Sequence, residues 1–277
     1  MNPLAAFGAM LHESGLDPDI LGPAFAAGLI VLLTHVPLGR LVLARGIIFI
    51  DLAIAQMAGL GVILAGVWGG GFVEDGILVQ AAALGAALLG TFFLYGIERR
   101  LGGGRPGVQE AVIGATFVLA ATAAILLLAH NPHGGEHLKD LLAGQILWVD
   151  YPRLAVPLAV SLAVVFIWSF PRARDSASAF YVLFAISVTT TVQLVGVYLV
   201  FASLILPALG TRTFSERVPF VAFLMGMCGY GVGLVLSAVL DLPAGPMIVW
   251  TLALFSLGGL FHRPRVESEA EPEEGKG

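Results

Sequence analysis

Eight residues, His130-Asn131-Pro132-His133-Gly134-Gly135-Glu136-His137, hold three imidazoles and a carboxylate. That donor set suits a borderline cation such as zinc. The last five residues spell H-x-x-E-H, an inverted zinc-protease pattern. The protease reading fails because both histidines must share one helix face, and Pro132, Gly134 and Gly135 break a helix there. His133, Glu136 and His137 therefore read as a metal-collecting loop patch, or as a polar loop that caps the helix after it. Further polar groups lie inside long apolar stretches. His35 precedes Pro37, Asp51 and Gln56 follow Gly46, Glu110 follows Pro106, and Gln193 sits within a charge-free run. Such groups are costly in a membrane and default to functional hypotheses. Each also has a plainer role. His35 can satisfy a carbonyl freed by the proline. Gln56 and Gln193 can join helices by hydrogen bonds. Glu110 can favour a helix N-terminus. Asp51 can reach headgroups or pair with Arg45.

The elements that must carry these groups are membrane spans. The chain has 277 residues, of which 58% are hydrophobic and 12% charged. Its mean hydropathy is +0.92. So few charges cannot wet the surface of a soluble enzyme, and the composition excludes disorder, a disulfide scaffold and a nucleic-acid binder. One cysteine, Cys228, cannot form an internal disulfide. A span needs about 20 apolar residues. Candidates are 21–43, 46–68, 76–97, 108–130, 152–170, 218–240 and 244–262. The charge-free run 179–210 is long for one span and short for two. Gly196, Pro207 and Gly210 can break it, so it reads as two short helices. Pro3 to Leu11 is a short interfacial helix or an apolar lead-in. His137 to Val149 alternates leucines with polar positions and predicts a short interfacial amphipathic helix.

The basic residues set the orientation. Arg40 and Arg45, then Arg99, Arg100 and Arg105, Arg172 and Arg174, Arg212 and Arg217, and finally Arg263, Arg265 and Lys276 fall on one set of alternating loops. Only Lys139 and Arg153 fall on the other. That excess marks the cytoplasmic side. Residues 1–20 are then extracytoplasmic, 21–262 form the membrane domain, and 263–277 are a disordered acidic cytoplasmic tail. Parity demands nine spans, with eight if 179–210 crosses once. Glu74, Asp75, Glu136, Asp140, Asp150 and Asp241 fall on the outer loops. They gather cations there, or simply keep those loops polar. Of 35 glycines, Gly66 and Gly70, and Gly229, Gly231 and Gly233, sit at helix-packing spacing. Neither lysine lies in a phosphate-binding G-x-x-x-x-G-K-[ST] loop, so ATP-driven transport needs another chain.

Pro37-Leu38-Gly39, the run Arg45-Gly46-Ile47-Ile48-Phe49-Ile50-Asp51 to Gly61-Val62, Gln193-Leu194-Val195-Gly196 through Leu204-Ile205-Leu206-Pro207-Ala208, and Asp241-Leu242-Pro243-Ala244-Gly245-Pro246 stand in this order. Together they resemble the permeases of zinc/manganese/iron-type ABC importers over most of residues 21–262. The resemblance implies an all-α, polytopic transmembrane helical bundle of eight or nine spans in the inner (plasma) membrane. It also implies a second permease copy, two cytosolic ATPases that bind the ATP, and an extracytoplasmic metal-binding protein. No covalent cofactor is expected, and the divalent metal ion is the transported substrate. The family's second span carries G-D-x-x-x-H. Here Asp51 stands where Gly belongs, Leu52 for Asp and Gln56 for His. Asp51 and Gln56 are about 140° apart around a straight helix. A variant site then uses Asp51 with other helices, or the cargo is not a bare zinc ion. The loop Pro171–Ala179 is shorter than the family's, so ATPase contact falls to Arg172, Arg174, Arg212 and Glu216.

The expected function is a permease subunit that passes a divalent metal inward along a path near Asp51, Gln56, His35 and Gln193. The alternative is an ion-coupled secondary transporter or channel that acts without an ATPase. A membrane scaffold or sensor without flux is a third class.

Overall fold

A computed structural model describes residues 16–68, 77–101, 106–128, 144–214 and 217–260, with positions 135, 139 and 142 between. Nine helices of fourteen residues or more occur among them. These are α1 (Pro18–Arg45), α2 (Ile50–Trp68), α3 (Ile77–Leu101), α4 (Pro106–Leu128), α5 (Ala155–Ser169), α6 (Ala177–Val195), α7 (Val197–Gly210), α8 (Val218–Leu240) and α9 (Ala244–Leu260). A single turn, Pro171–Arg174, links α5 to α6. Seven segments are long and apolar enough to cross a bilayer, and α7 and α9 are shorter apolar helices.

Local chemistry explains several of the boundaries. The Asp17 carboxylate accepts the Asp19 N–H at 2.9 Å, and Pro18 supplies the first helical φ of α1. Gly46, at φ 69°, ends α1 in the left-handed conformation and gives its N–H to the last carbonyls. Ser176 caps α6 through the Ala179 N–H. The run 179–210 is indeed two helices. They break at Gly196, whose φ of 80° and ψ of 164° lie in a region only glycine occupies readily.

The packing forms two groups. α2 lies against α3 and α4, while α1, α7, α8 and α9 pack together. α6 touches α3, α2, α1, α5 and α7 and so joins the groups. Small residues allow the close approaches that lipid surroundings favour. A Cβ on Gly39 would run into the Leu204 carbonyl of α7. Gly229 and Gly233, spaced for packing in the sequence, do face Leu252 and Ile248 of α9. Thr251 reinforces that seam by donating to the Gly229 carbonyl at 2.7 Å.

The contacts give successive helices opposite directions, so the basic loops share one end of the bundle. At the far end Gly144 takes φ 70°, and a Cβ there would run into the Val195 carbonyl and the Gly196 nitrogen. The amphipathic helix expected over His137–Val149 does not run to its end. Gly144 and Gln145 are non-helical, and Ile146–Trp148 form one 3-10 turn. A left-handed glycine cannot continue an α-helix, and most of the rest of that stretch is outside the described residues. So is Pro3–Leu11.

Candidate functional site

α2 begins after a tight turn, and Asp51 falls in its first turn. The side chain of Glu110, on α4, reaches across to accept the Phe49 N–H at 3.2 Å. Glu110 therefore caps the start of α2, a role that its place early in α4 did not reveal. Asp51 is 0% exposed, and neither carboxylate oxygen has a hydrogen-bond partner. Of its two plainer readings, contact with headgroups is ruled out by this burial, and the ion pair with Arg45 does not form. The left-handed turn at Gly46 ends α1, and the Arg45 guanidinium stacks 4.2 Å from the centroid of the Phe180 ring on α6.

Gln56 is also buried. It shares a stripe of α2 with Leu60 and Ile63, which pack against Ala124, Leu127 and Leu128 of α4. Asp51 lies on the separate stripe of Ala55 and Ala58, both buried. The two polar groups thus occupy different faces of α2, as the five-residue spacing requires.

His35 lies fully buried where α1 meets α6. Its Nδ1 is 2.9 Å from the Val31 carbonyl, with the Thr34 hydroxyl at 3.0 Å. A carbonyl only accepts, so Nδ1 carries a proton, and in the neutral tautomer Nε2 is then an acceptor. Nε2 faces the Thr191 hydroxyl at 3.4 Å. That hydroxyl already donates to the Ser187 carbonyl at 2.8 Å. The imidazole lone pair is therefore weakly held. Sequence reading had no route to Thr191, which stands 156 residues from His35.

Gln193 does not join these groups. It is exposed, three residues before Gly196 at the far end of α6. His133, Glu136 and His137 lie outside the described residues, as does Glu216. Among the described residues no three His, Cys, Asp or Glu side chains come together to hold a metal ion. At the basic end Arg172 and Arg212 are exposed. Arg174 is engaged: its Nε donates to the Trp168 carbonyl at 2.8 Å and so satisfies the last turn of α5. At the opposite end a cavity of about 170 Å³ lies between Gly144–Trp148 and Pro243–Pro246. Trp148, at 79% exposed, stands on its rim.

Residues 175–263 match the ABC 3 transport family. A Chlamydia muridarum protein named "Probable metal transport system membrane protein" is 26% identical over 187 residues, covering 59% of this chain and 64% of that protein. The chain thus spans just under two thirds of that relative. The high-affinity zinc uptake system membrane protein ZnuB of Haemophilus influenzae is 25% identical over 270 residues, covering 90% of this chain and 99% of ZnuB. Among solved structures, PsaBC from Streptococcus pneumoniae in complex with Fab aligns with a TM-score of 0.70 at 22% identity. That alignment covers 88% of this chain and 92% of the other. The likeness read from the sequence motifs is to this group of metal-transport permeases, and the helical fold is shared with PsaBC.

Proposed function

With that likeness as the premise, we propose that the chain is the membrane subunit of an ABC importer that carries a divalent metal ion into the cytoplasm. The observation that carries this reading is Asp51, a fully buried carboxylate with no hydrogen-bond partner on either oxygen. Asp51 stands in the first turn of its span rather than at the centre, but burying a carboxylate with no partner is costly wherever it lies. A bundle keeps such a group where a passing cation supplies the missing charge.

In the proposed cycle an extracytoplasmic metal-binding protein docks at the end that bears the Trp148 cavity. The metal then moves between two permease copies, along a path near Asp51, with Gln56 and His35 as neutral stops on neighbouring faces. Imidazole suits zinc and its neighbours in the series, and a carboxylate suits manganese and iron as well. Two soluble ATPases engage the basic end through exposed Arg172 and Arg212 and drive the change of access. Zinc, manganese and iron are all compatible with this mixed donor set.

The test is uptake of radiolabelled or fluorescently reported metal by the chain reconstituted with its ATPase. Asp51→Asn keeps the shape and removes the charge. Uptake is expected to fall at least about ten-fold, the equivalent of roughly 1.4 kcal/mol, while the protein stays in the membrane. Undiminished uptake removes Asp51 from the path. Gradient-driven flux by the chain alone would instead establish the secondary transporter.

A further inference from the structure

The inner ends of α7 and α9 meet, with the backbones of Gly210 and Gly259 in contact. Thr213 donates its hydroxyl to the Gly259 carbonyl at 3.3 Å. The chain therefore leaves α9, which ends at Leu260, beside the loop that follows α7. That loop presents Arg212 and Arg217, both exposed. Neither has an ion-pair partner among the described residues, and the first turn of α8 holds no acid. The loop's one acid is Glu216, so its net charge is positive. Arg217 is held in the left-handed conformation, at φ 48°, which fixes where its side chain leaves the backbone.

Residues 266–275 carry Glu267, Glu269, Glu271, Glu273 and Glu274 and no basic residue. Glu267 is seven residues beyond Leu260, and at about 3.4 Å per residue the whole acidic run lies within about 50 Å of that point. Tethering at such range gives an effective concentration on the order of millimolar. A contact worth little between free molecules is then populated.

We propose that the acidic segment 266–275 docks on the basic loop of its own chain at Arg212 and Arg217. The consequence rests on the importer reading above. Arg212 is an expected ATPase contact, so the docked tail withholds part of the ATPase seat and the ATPase must displace it. The contact lies between solvated charges, so salt weakens it over a Debye length of about 10 Å at 0.1 M.

Zero-length crosslinking of the full chain in nanodiscs tests the contact. Arg212→Lys with Arg217→Lys supplies amines, and a carbodiimide joins an amine to a touching carboxylate as an amide with net loss of water. The expected product is a peptide pair linking 211–217 to 266–277, on a band of single-chain mass. Its yield should drop about five-fold or more in 0.5 M salt. It should vanish when the five glutamates become glutamine. Failure to link in folded, monodisperse protein overturns the proposal, as does salt-indifferent linking or linking only at double mass. With the ATPase added, the five Glu→Gln substitutions should tighten its binding about three-fold or more at low salt and leave binding unchanged at 0.5 M. If no ATPase binds any variant, the importer reading fails while the crosslink still decides the tail contact.

Discussion

Tyr230 shares a 2.8 Å hydrogen bond with Ser203, and the Ser203 hydroxyl donates to the Leu199 carbonyl at 2.7 Å. The phenol is therefore the donor in the pair that ties α8 to α7. Tyr230→Phe deletes one bond and strands no donor, because Ser203 keeps its bond to the backbone. The expected loss is about 1 kcal/mol, read as a lower unfolding midpoint in detergent with unchanged chain yield. Asp241 ends α8 at φ 52°, a left-handed position usually given to glycine. Asp241→Gly relieves that backbone and should raise the same midpoint, by roughly 0.5–1 kcal/mol of stability. At this scale the sequence was only partly legible. It exposed Asp51, Gln56 and His35 as anomalies, because a polar residue in an apolar run is visible without a fold. It hid their neighbours. Thr191 for His35 and Phe180 for Arg45 are brought close only by the crossing of α1 with α6.

Helices were the most legible level, since a run of about 20 apolar residues has few other fates in a bilayer. The pair α6 and α7 was readable for a further reason. Thirty-two residues without a charge exceed one span, and Gly196 offered the break. What the run did not show is how tightly that break is built. Gly144 and Gly196 are both at positive φ, and a Cβ on Gly144 would strike the turn between the helices. Gly196→Ala forces a Cβ into a region that costs about 1–3 kcal/mol. The variant should lose thermal stability by that amount. In a protease protection assay the end that carries Gly144 and the turn at Gly196 should be cut faster than the parent's. Equal stability and equal cleavage would show that the turn tolerates a side chain. The His137–Val149 stretch is helical at Lys139 and Leu142, as its leucine alternation suggests, but Gly144 needs a left-handed backbone, so the helix does not reach Val149.

For the whole molecule, the antiparallel succession of nine helices puts Asp17 and Leu260 at opposite ends, with Leu260 at the basic one. From the charge distribution we propose that the basic end faces the cytoplasm. Twelve of the fourteen basic residues belong to the basic end or to the tail that leaves from it, and Lys and Arg near span ends are retained inside. Ala177 opens α6 at the basic end, and Asp241 closes α8 at the other. An alkaline phosphatase fused at Asp241 should be active, and one fused at Ala177 silent. A cytosolic fluorescent protein should report the reverse. Because α6 and α7 together return the chain to the basic end, a fusion after Thr211 must behave like that at Ala177. If it reported the side opposite to Ala177, the pair would cross once, Asp241 would fall on the cytoplasmic side, the tail would lie outside, and no soluble ATPase could reach Arg172 and Arg212 on the same side.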